Sequence, residues 1–215
     1  MVSFVKGIEA IRVTQSVESK VKKAIVGHGR GWCFTPKHFL DIGSDASVRK
    51  ALSELQKQKV IRRIAQGLYD YPREHKVLGV VAPNIDVVAK AIAEKNGAKI
   101  QPSGAYAANL IGLSEQVPGR VVFLTDGPPK KLKIGKLEIL FKQATVKNMY
   151  AAGTKEALVI QAFKFMGRDH IDSKMLQTTK RFLKGVKRVN LEKNIKFAPD
   201  WIRSILFDLI KASHE

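Results

Sequence analysis

Apolar and polar positions along this chain follow two periods, and the change from one to the other marks the elements. From Ser16 onward, Val17, Val21, Ala24 and Ile25 recur at helical spacing. Ser16 is placed to cap that helix, and GHGRG at residues 27–31 to end it. Thr35 followed by Pro36 predicts an N-cap with proline at the first helical position, opening a short helix that carries Phe39 and Leu40 and stops at Gly43. Ser44 or Asp45 then caps a third helix over residues 45–58. Val48, Ala51, Leu52 and Leu55 form its apolar stripe, and Ser47, Arg49, Lys50, Ser53 and Lys57 stay outside it. At residues 60–72, VIRRIAQGLYDYP, two short β-rich runs surround Gln66-Gly67, which predicts a hairpin. Helix, short helix, helix and hairpin in that order match the plan of a winged helix-turn-helix.

The second half is mixed. PREHKVLG, residues 72–79, reads as a polar connector. Asn84 caps a helix with Ile85, Val88, Ala91 and Ile92 inside, and Gly97 closes it. A short strand at 99–101 leads to a small-residue helix opened by Ser103. VVFLTDGPP is a buried strand running into a turn, and KKLKIGKLEILFK is a hairpin about Gly135-Lys136 with Leu137, Ile139 and Phe141 on one face.

From Gly153 the pattern is helical. KEALVIQAFKFM is apolar almost all round, so that helix belongs in a core. The next helix, residues 172–188, turns Met175, Leu176, Thr179, Phe182 and Leu183 inward and ends in a cluster of Lys180, Arg181, Lys184, Lys187 and Arg188. The last starts at Pro199 and buries Trp201 or Ile202, then Ile205, Leu206, Leu209 and Ile210. The expected fold class is therefore α+β: a leading arm at 1–15, a winged helix-turn-helix at 16–76, and a mixed α/β domain at 77–215 that ends in helices.

Charge adds a partner to this picture. Thirty-eight Lys and Arg stand against 19 Asp and Glu, a formal net charge of +19 among 215 residues. Such an excess favours a polyanion, because neutralising phosphates releases condensed counterions. The excess is spread, +8 over residues 1–76 and +11 over 77–215. On the third helix Arg49 suits bidentate reading of guanine, and Ser47 and Ser53 suit phosphate or either base type. In the hairpin Arg62 and Arg63 suit phosphate or a narrow minor groove. The cluster at 180–188 offers a second contact surface.

Candidates for catalysis are sparse. Cys33 is the only cysteine, which excludes a disulfide framework within the chain and fits a reducing cytoplasm. His28, His38, His75, His170 and His214 lack partners at metal-ligand spacing, and no Walker lysine or nucleophile elbow occurs. Acid-x-Lys triplets at Glu18/Lys20, Glu74/Lys76 and Asp172/Lys174 fall on helices or connectors, not on a central strand. The opening stretch MVSFVKGIEAIRV is not expected to be a secretion signal, and no apolar run approaches the roughly 20 residues of a membrane span. The expectation is a non-enzyme with no cofactor and no metal.

Two blocks carry a family likeness. GRGWCFTPKHFLDIGSDASVRKALSELQKQKVIRRIAQGLYDYP resembles the N-terminal winged helix of AbiEi-type antitoxins. QPSGAYAANLIGLSEQVPGRVVFLTDGPPKKLKIGKLEILFK resembles the signature of a related bacterial family of unknown function, grouped with type IV antitoxins and transcriptional regulators. Together the likeness runs from about residue 20 to 166. It implies a bacterial cytoplasmic autorepressor whose first domain binds its own operator and whose second opposes a nucleotidyltransferase-type toxin. DNA-contacting positions carry over to Ser47, Arg49, Lys50, Ser53, Arg62, Arg63 and Tyr69, and no catalytic residue carries over. The alternative is a solitary nucleic-acid-binding or RNA-processing protein without a toxin.

Overall fold

A computed structural model describes residues 15–211, the side chain of Ile210 excepted. The expected leading arm, apart from Gln15, lies outside the described residues, as do His214 and the inward side chain expected of Ile210. The chain divides between Pro83 and Asn84 into two compact units, and both helices and sheets contribute to its mixed α and β architecture.

In the first unit local capping decides the helix starts. The Ser16 side chain accepts from Ser19 N at 3.2 Å to open α1 (Val17–His28), and the Ser44 side chain accepts from Ser47 N at 3.3 Å to open α2 (Asp45–Lys57). Between them lie strand β1 (Cys33–Phe34) and a 3-10 turn, Pro36–Phe39, where a longer helix was expected. The turn buries Phe39 but leaves Leu40 exposed, since one tight turn presents only one apolar side to the core.

Strands β2 (Arg62–Ala65) and β3 (Leu68–Asp70) form the hairpin about Gln66-Gly67, with Ala65 opposite Leu68. Gly67 takes φ 67°, the left-handed backbone such a two-residue turn requires. Strand β1 then adds to the far side of β3, giving the order β1-β3-β2. Val21, Ile25, Phe34, Phe39, Val48, Leu52, Leu55 and Ile61 close the core beneath it. Fully buried leucines such as Leu52 and Leu55 each contribute roughly 1.5–3 kcal/mol.

The polar connector expected at 72–79 is instead a second small hairpin, β4 (Glu74–His75) and β5 (Gly79–Val80), with Val77 85% exposed at its tip. His75 Nδ1 accepts from Val77 N and Leu78 N, so a polar side chain satisfies the turn. The chain beyond it returns to the first unit, because Arg62 Nη2 donates to the Val81 carbonyl at 3.1 Å. The first unit therefore ends later than the expected boundary at residue 76.

The second unit opens with α3 (Ile85–Asn96), whose Asn84 cap accepts from both Asp86 N and Val87 N. Strand β6 (Ile100–Ser103), α4 (Gly104–Leu110), β7 (Arg120–Thr125), β8 (Lys130–Ile134) and β9 (Leu137–Gln143) follow. The hairpin β8–β9 pairs Ile134 with Leu137, yet β9 also inserts beside β7 in parallel, giving the order β6-β7-β9-β8. Val121, Phe123, Ile139 and Phe141 are buried, while alternate residues of β7 and β9 are less so, as expected of a sheet covered mainly on one face.

Helices α5 (Val146–Met149), α6 (Lys155–Met166), α7 (Ser173–Phe182), α8 (Arg188–Asn194) and α9 (Asp200–Lys211) complete the unit. Helix α6 buries Val159, Ile160, Ala162 and Phe163, and α9 adds Ile202 and Leu206 to the same core. The helix expected over 172–188 is interrupted: Gly185 takes φ 84° and the chain starts again as α8. The basic cluster thus spans two helix ends and the turn between them.

Candidate nucleic-acid interface

The polar side of α2 carries the expected reading residues in different states. Arg49 is exposed and its Nε meets Asp45 at 2.6 Å, a hydrogen bond that holds its guanidinium above the usual arginine range. Lys50 and Ser53 are exposed, with no partner among the described residues. Ser47 is only half-exposed. Its hydroxyl donates to the Ser44 carbonyl at 2.9 Å and accepts from the Ser44 hydroxyl at 3.1 Å, so it belongs to the helix cap.

Strand alternation separates the two hairpin arginines. Side chains of residues paired across strands share a face, and neighbours in one strand point to opposite faces. Cys33, Asp70 and Arg62 form one row across the sheet, and Phe34, Tyr69 and Arg63 form the next. Arg62 therefore lies on the face of Cys33 and Asp70, away from the helical core, where its Nε and Nη2 grip Asp70 at 3.0 and 2.6 Å. Asp70 is 1% exposed, and this bidentate bond raises the arginine pKa above its ordinary value. That is a correction to the expectation that both arginines reach for phosphate: the fork of Arg62 is committed within the protein.

Arg63 is exposed, on the face of the sheet that Phe34 and Tyr69 share with the helical core. Tyr69 is half-buried against Phe34, and its hydroxyl lies within electrostatic reach of Arg49. The tertiary structure thus gathers Arg49, Tyr69 and, by register, Arg63 toward one side, and sends Arg62 to the other.

Arg30 and Arg73 are two further basic residues that the periodicity did not single out. Arg30 lies over the Tyr71 ring at 4.9 Å and donates to the Pro72 carbonyl at 2.8 Å, with Glu74 at 3.3 Å. The Arg73 side chain packs against Gly31, where an added Cβ would lie 2.8 Å from its Nε. The glycines around Arg30 and the aromatic Tyr71 are the only sequence signs of this packing.

The groups considered for catalysis have structural partners. Glu18 accepts from Gln58, Glu74 meets Arg30, and Asp172 caps α7 by accepting from Met175 N at 2.7 Å. Burial, with the Asp70 charge second, pushes the Cys33 thiol up to about 12 and keeps it protonated at neutral pH. His38 shares a capping box with Thr35, and His28 stacks on Trp32. Among the described residues no three His, Cys, Asp or Glu side chains are grouped to hold a metal ion.

In the second unit the expected basic patch is divided. Arg181 is exposed and half-buried Lys180 precedes it on the last turn of α7; Lys184 lies in the turn, Lys187 caps α8 and Arg188 begins it. Arg188 is paired with Glu192 at 2.9 Å. No helix of the described residues is long and apolar enough to cross a membrane.

Residues 20–191 match the model of a family described as a family of unknown function (DUF6088), and the chain belongs to that family. No curated protein matches the chain.

Proposed function

We propose that this member of the family is a cytoplasmic DNA-binding transcription regulator that grips duplex DNA with its first unit. The supporting observation is the side on which α2 presents Arg49, Lys50 and Ser53 and the β2–β3 hairpin adds Tyr69 and Arg63. Helix, strand, helical turn, helix and hairpin, with β1 completing the sheet, supports reading the first unit as a winged helix. In that reading α2 enters the major groove and the hairpin rests on the adjacent backbone.

The Arg49–Asp45 pair does not stand in the way. An exposed pair at this helical spacing is weak and screened by salt, so it yields readily to a bidentate contact with a guanine edge. The test is binding of the full chain to duplex from its own promoter region across a salt series. Log affinity should fall about linearly with log salt. Absence of binding to any duplex at low salt would end this reading.

The resemblance to AbiEi-type antitoxins extends it. In the extended reading the chain is the antitoxin and autorepressor of a type IV toxin–antitoxin system, and the second unit opposes a nucleotidyltransferase-type toxin. The check is co-expression with a neighbouring nucleotidyltransferase gene, whose growth arrest the chain should relieve. The basic segment 180–188 favours a second reading, a solitary nucleic-acid-binding or RNA-binding protein without a toxin. Single-stranded RNA bound as tightly as promoter duplex, with no relief of toxicity, would select it.

A further inference from the structure

We propose that a donor-lined cleft of the second unit, walled by α5, α6 and the connection from α8 to α9, binds the phosphate oxyanion of a small phosphorylated ligand. The cleft is shallow and open to solvent, with about 20 Å³ of room for the centre of a water-sized group, so a single phosphate oxygen enters it and the remaining oxygens stay at its mouth. Its floor is apolar, and Lys147, Asn148, Gln161, Lys164, Asn194 and Phe197 stand around it.

Hydrogen-bond partners fix what this rim can offer. Asn148 Oδ1 already accepts from Lys164 Nζ at 3.0 Å, and Gln161 Oε1 from the Ser103 hydroxyl at 3.2 Å. Both amides therefore have their oxygens occupied and their NH2 groups available. Gln161 is more than nine-tenths buried as a residue and lines the cleft, and its Nε2, which keeps contact with solvent there, has no hydrogen-bond partner among the described residues. Asn194 is held the other way, its Nδ2 donating to the buried Glu156 carboxylate at 3.0 Å. That leaves Asn194 Oδ1 as an acceptor suited to the hydroxyl of a monoprotonated phosphate.

The electrostatics agree. Lys164 and Lys147 have no ion-pair partner among the described residues, and burial lowers the Lys164 pKa. Lys164 and Lys147 are exposed, and an ammonium whose one partner is an amide is stabilised by an anion brought next to it. Two ammonium groups and two free amide donors match the several acceptor oxygens of a phosphate. The space is too small to enclose a whole nucleotide, so the group that bears the phosphate would rest outside. There Phe197 and Tyr150, edge to face at 4.9 Å, are 42% and 43% exposed.

The experiment is a titration of the isotopically labelled full chain with inorganic phosphate, followed by nuclear magnetic resonance at constant ionic strength, with chloride as control. Saturable shifts confined to the side-chain amides of Asn148 and Gln161 and to neighbours in α5 and α6 are expected. Lys164→Met and Gln161→Glu should each weaken binding by about tenfold or more, the loss of one charge-assisted hydrogen bond. Lys142→Met, on strand β9, should change nothing. If Gln161→Glu does not fold, Lys147→Met on the exposed side of α5 asks the same question.

Adenosine monophosphate distinguishes the source. Affinity equal to that of inorganic phosphate indicates free phosphate, and affinity about tenfold higher indicates a nucleotide that also uses Phe197. Non-saturating shifts spread over many lysines, or wild-type affinity in Lys164→Met, would overturn the proposal. Promoter binding by the first unit is expected to be unchanged in Lys164→Met, so the two readings fail independently.

Discussion

The two basic regions of this protein, the α2–hairpin surface of the first unit and residues 180–188 of the second, are built on opposite principles. In the first, a sheet sorts neighbouring cations: Arg62 is held on one face by the buried Asp70, and Arg63 is left exposed on the other, opposite Tyr69. In the second, no sheet intervenes, and five cations are distributed over a helix end, a turn and a helix start. Lys180 and Arg181 sit at the C-terminus of α7, where the helix dipole favours them. Lys187 and Arg188 sit at the N-terminus of α8, where a cation costs roughly 0.3–1 kcal/mol and Glu192 offsets part of it. The difference teaches that density of charge and organisation of charge are separate properties. The second region has the density, and the first has the organisation.

The sharpest way to break this comparison is within the hairpin. Arg62→Ala leaves a buried carboxylate without its partner and should cost about 2–3 kcal/mol of unfolding free energy in urea, toward the lower part of the range for buried pairs because Arg62 is partly exposed. Arg63→Ala should stay within about 0.5 kcal/mol of the wild type. Similar losses in the two variants would mean that the sheet does not sort them.

DNA affinity sharpens it next. Arg49→Ala should cost about 1–3 kcal/mol on the preferred site and relax base preference, read by competition between duplexes. Arg63→Ala should weaken all sequences alike and reduce the salt slope by about 1. If Arg49→Ala shows the second pattern, α2 is not the element that reads bases.

A smaller effect is expected from the second unit. Replacing Lys180, Arg181, Lys184 and Lys187 together by Glu should keep the helical circular dichroism and lower full-chain affinity about tenfold on every duplex, since phosphate contacts carry no sequence information. Unchanged DNA affinity with lost co-purification of a neighbouring toxin would move this patch from nucleic acid to a protein partner.

The smallest effect concerns Cys33, in the same row as Asp70 and Arg62. Burial raises its pKa from 9.0 to about 12, so the native protein keeps a proton that the unfolded chain releases. This contribution is therefore fully present below about pH 9 and is lost as pH rises toward 12, by about 1 kcal/mol at pH 10. Urea titrations at pH 8 and pH 10 should show this extra loss in the wild type and not in Cys33→Ala.

What the sequence determined by itself is what neighbours along the chain can settle. Ser16, Ser44 and Asn84 cap helices because a side-chain oxygen reaches a backbone N–H two or three residues ahead. Val48, Ala51, Leu52 and Leu55 share a stripe because a helix repeats every 3.6 residues, and Gln66-Gly67 turns because glycine tolerates positive φ. The same local information placed Arg49, Lys50 and Ser53 outside the stripe.

Tertiary structure decided what depends on distant partners. Strand β1 joins β3 across more than thirty residues; the hairpin register sets Arg62 opposite Asp70 and Arg63 opposite Tyr69, and only the β1 pairing adds buried Cys33 to the first row and Phe34 to the second. Strand β9 enters beside β7 in parallel although a simple hairpin with β8 would satisfy its local pattern. The cleft of the second unit brings Asn148, Gln161 and Asn194 together from three helices. Hydrophobic period records which side of an element is buried, whereas register and long-range packing determine what it is buried against. The fate of a polar side chain such as Arg62 depends on the second.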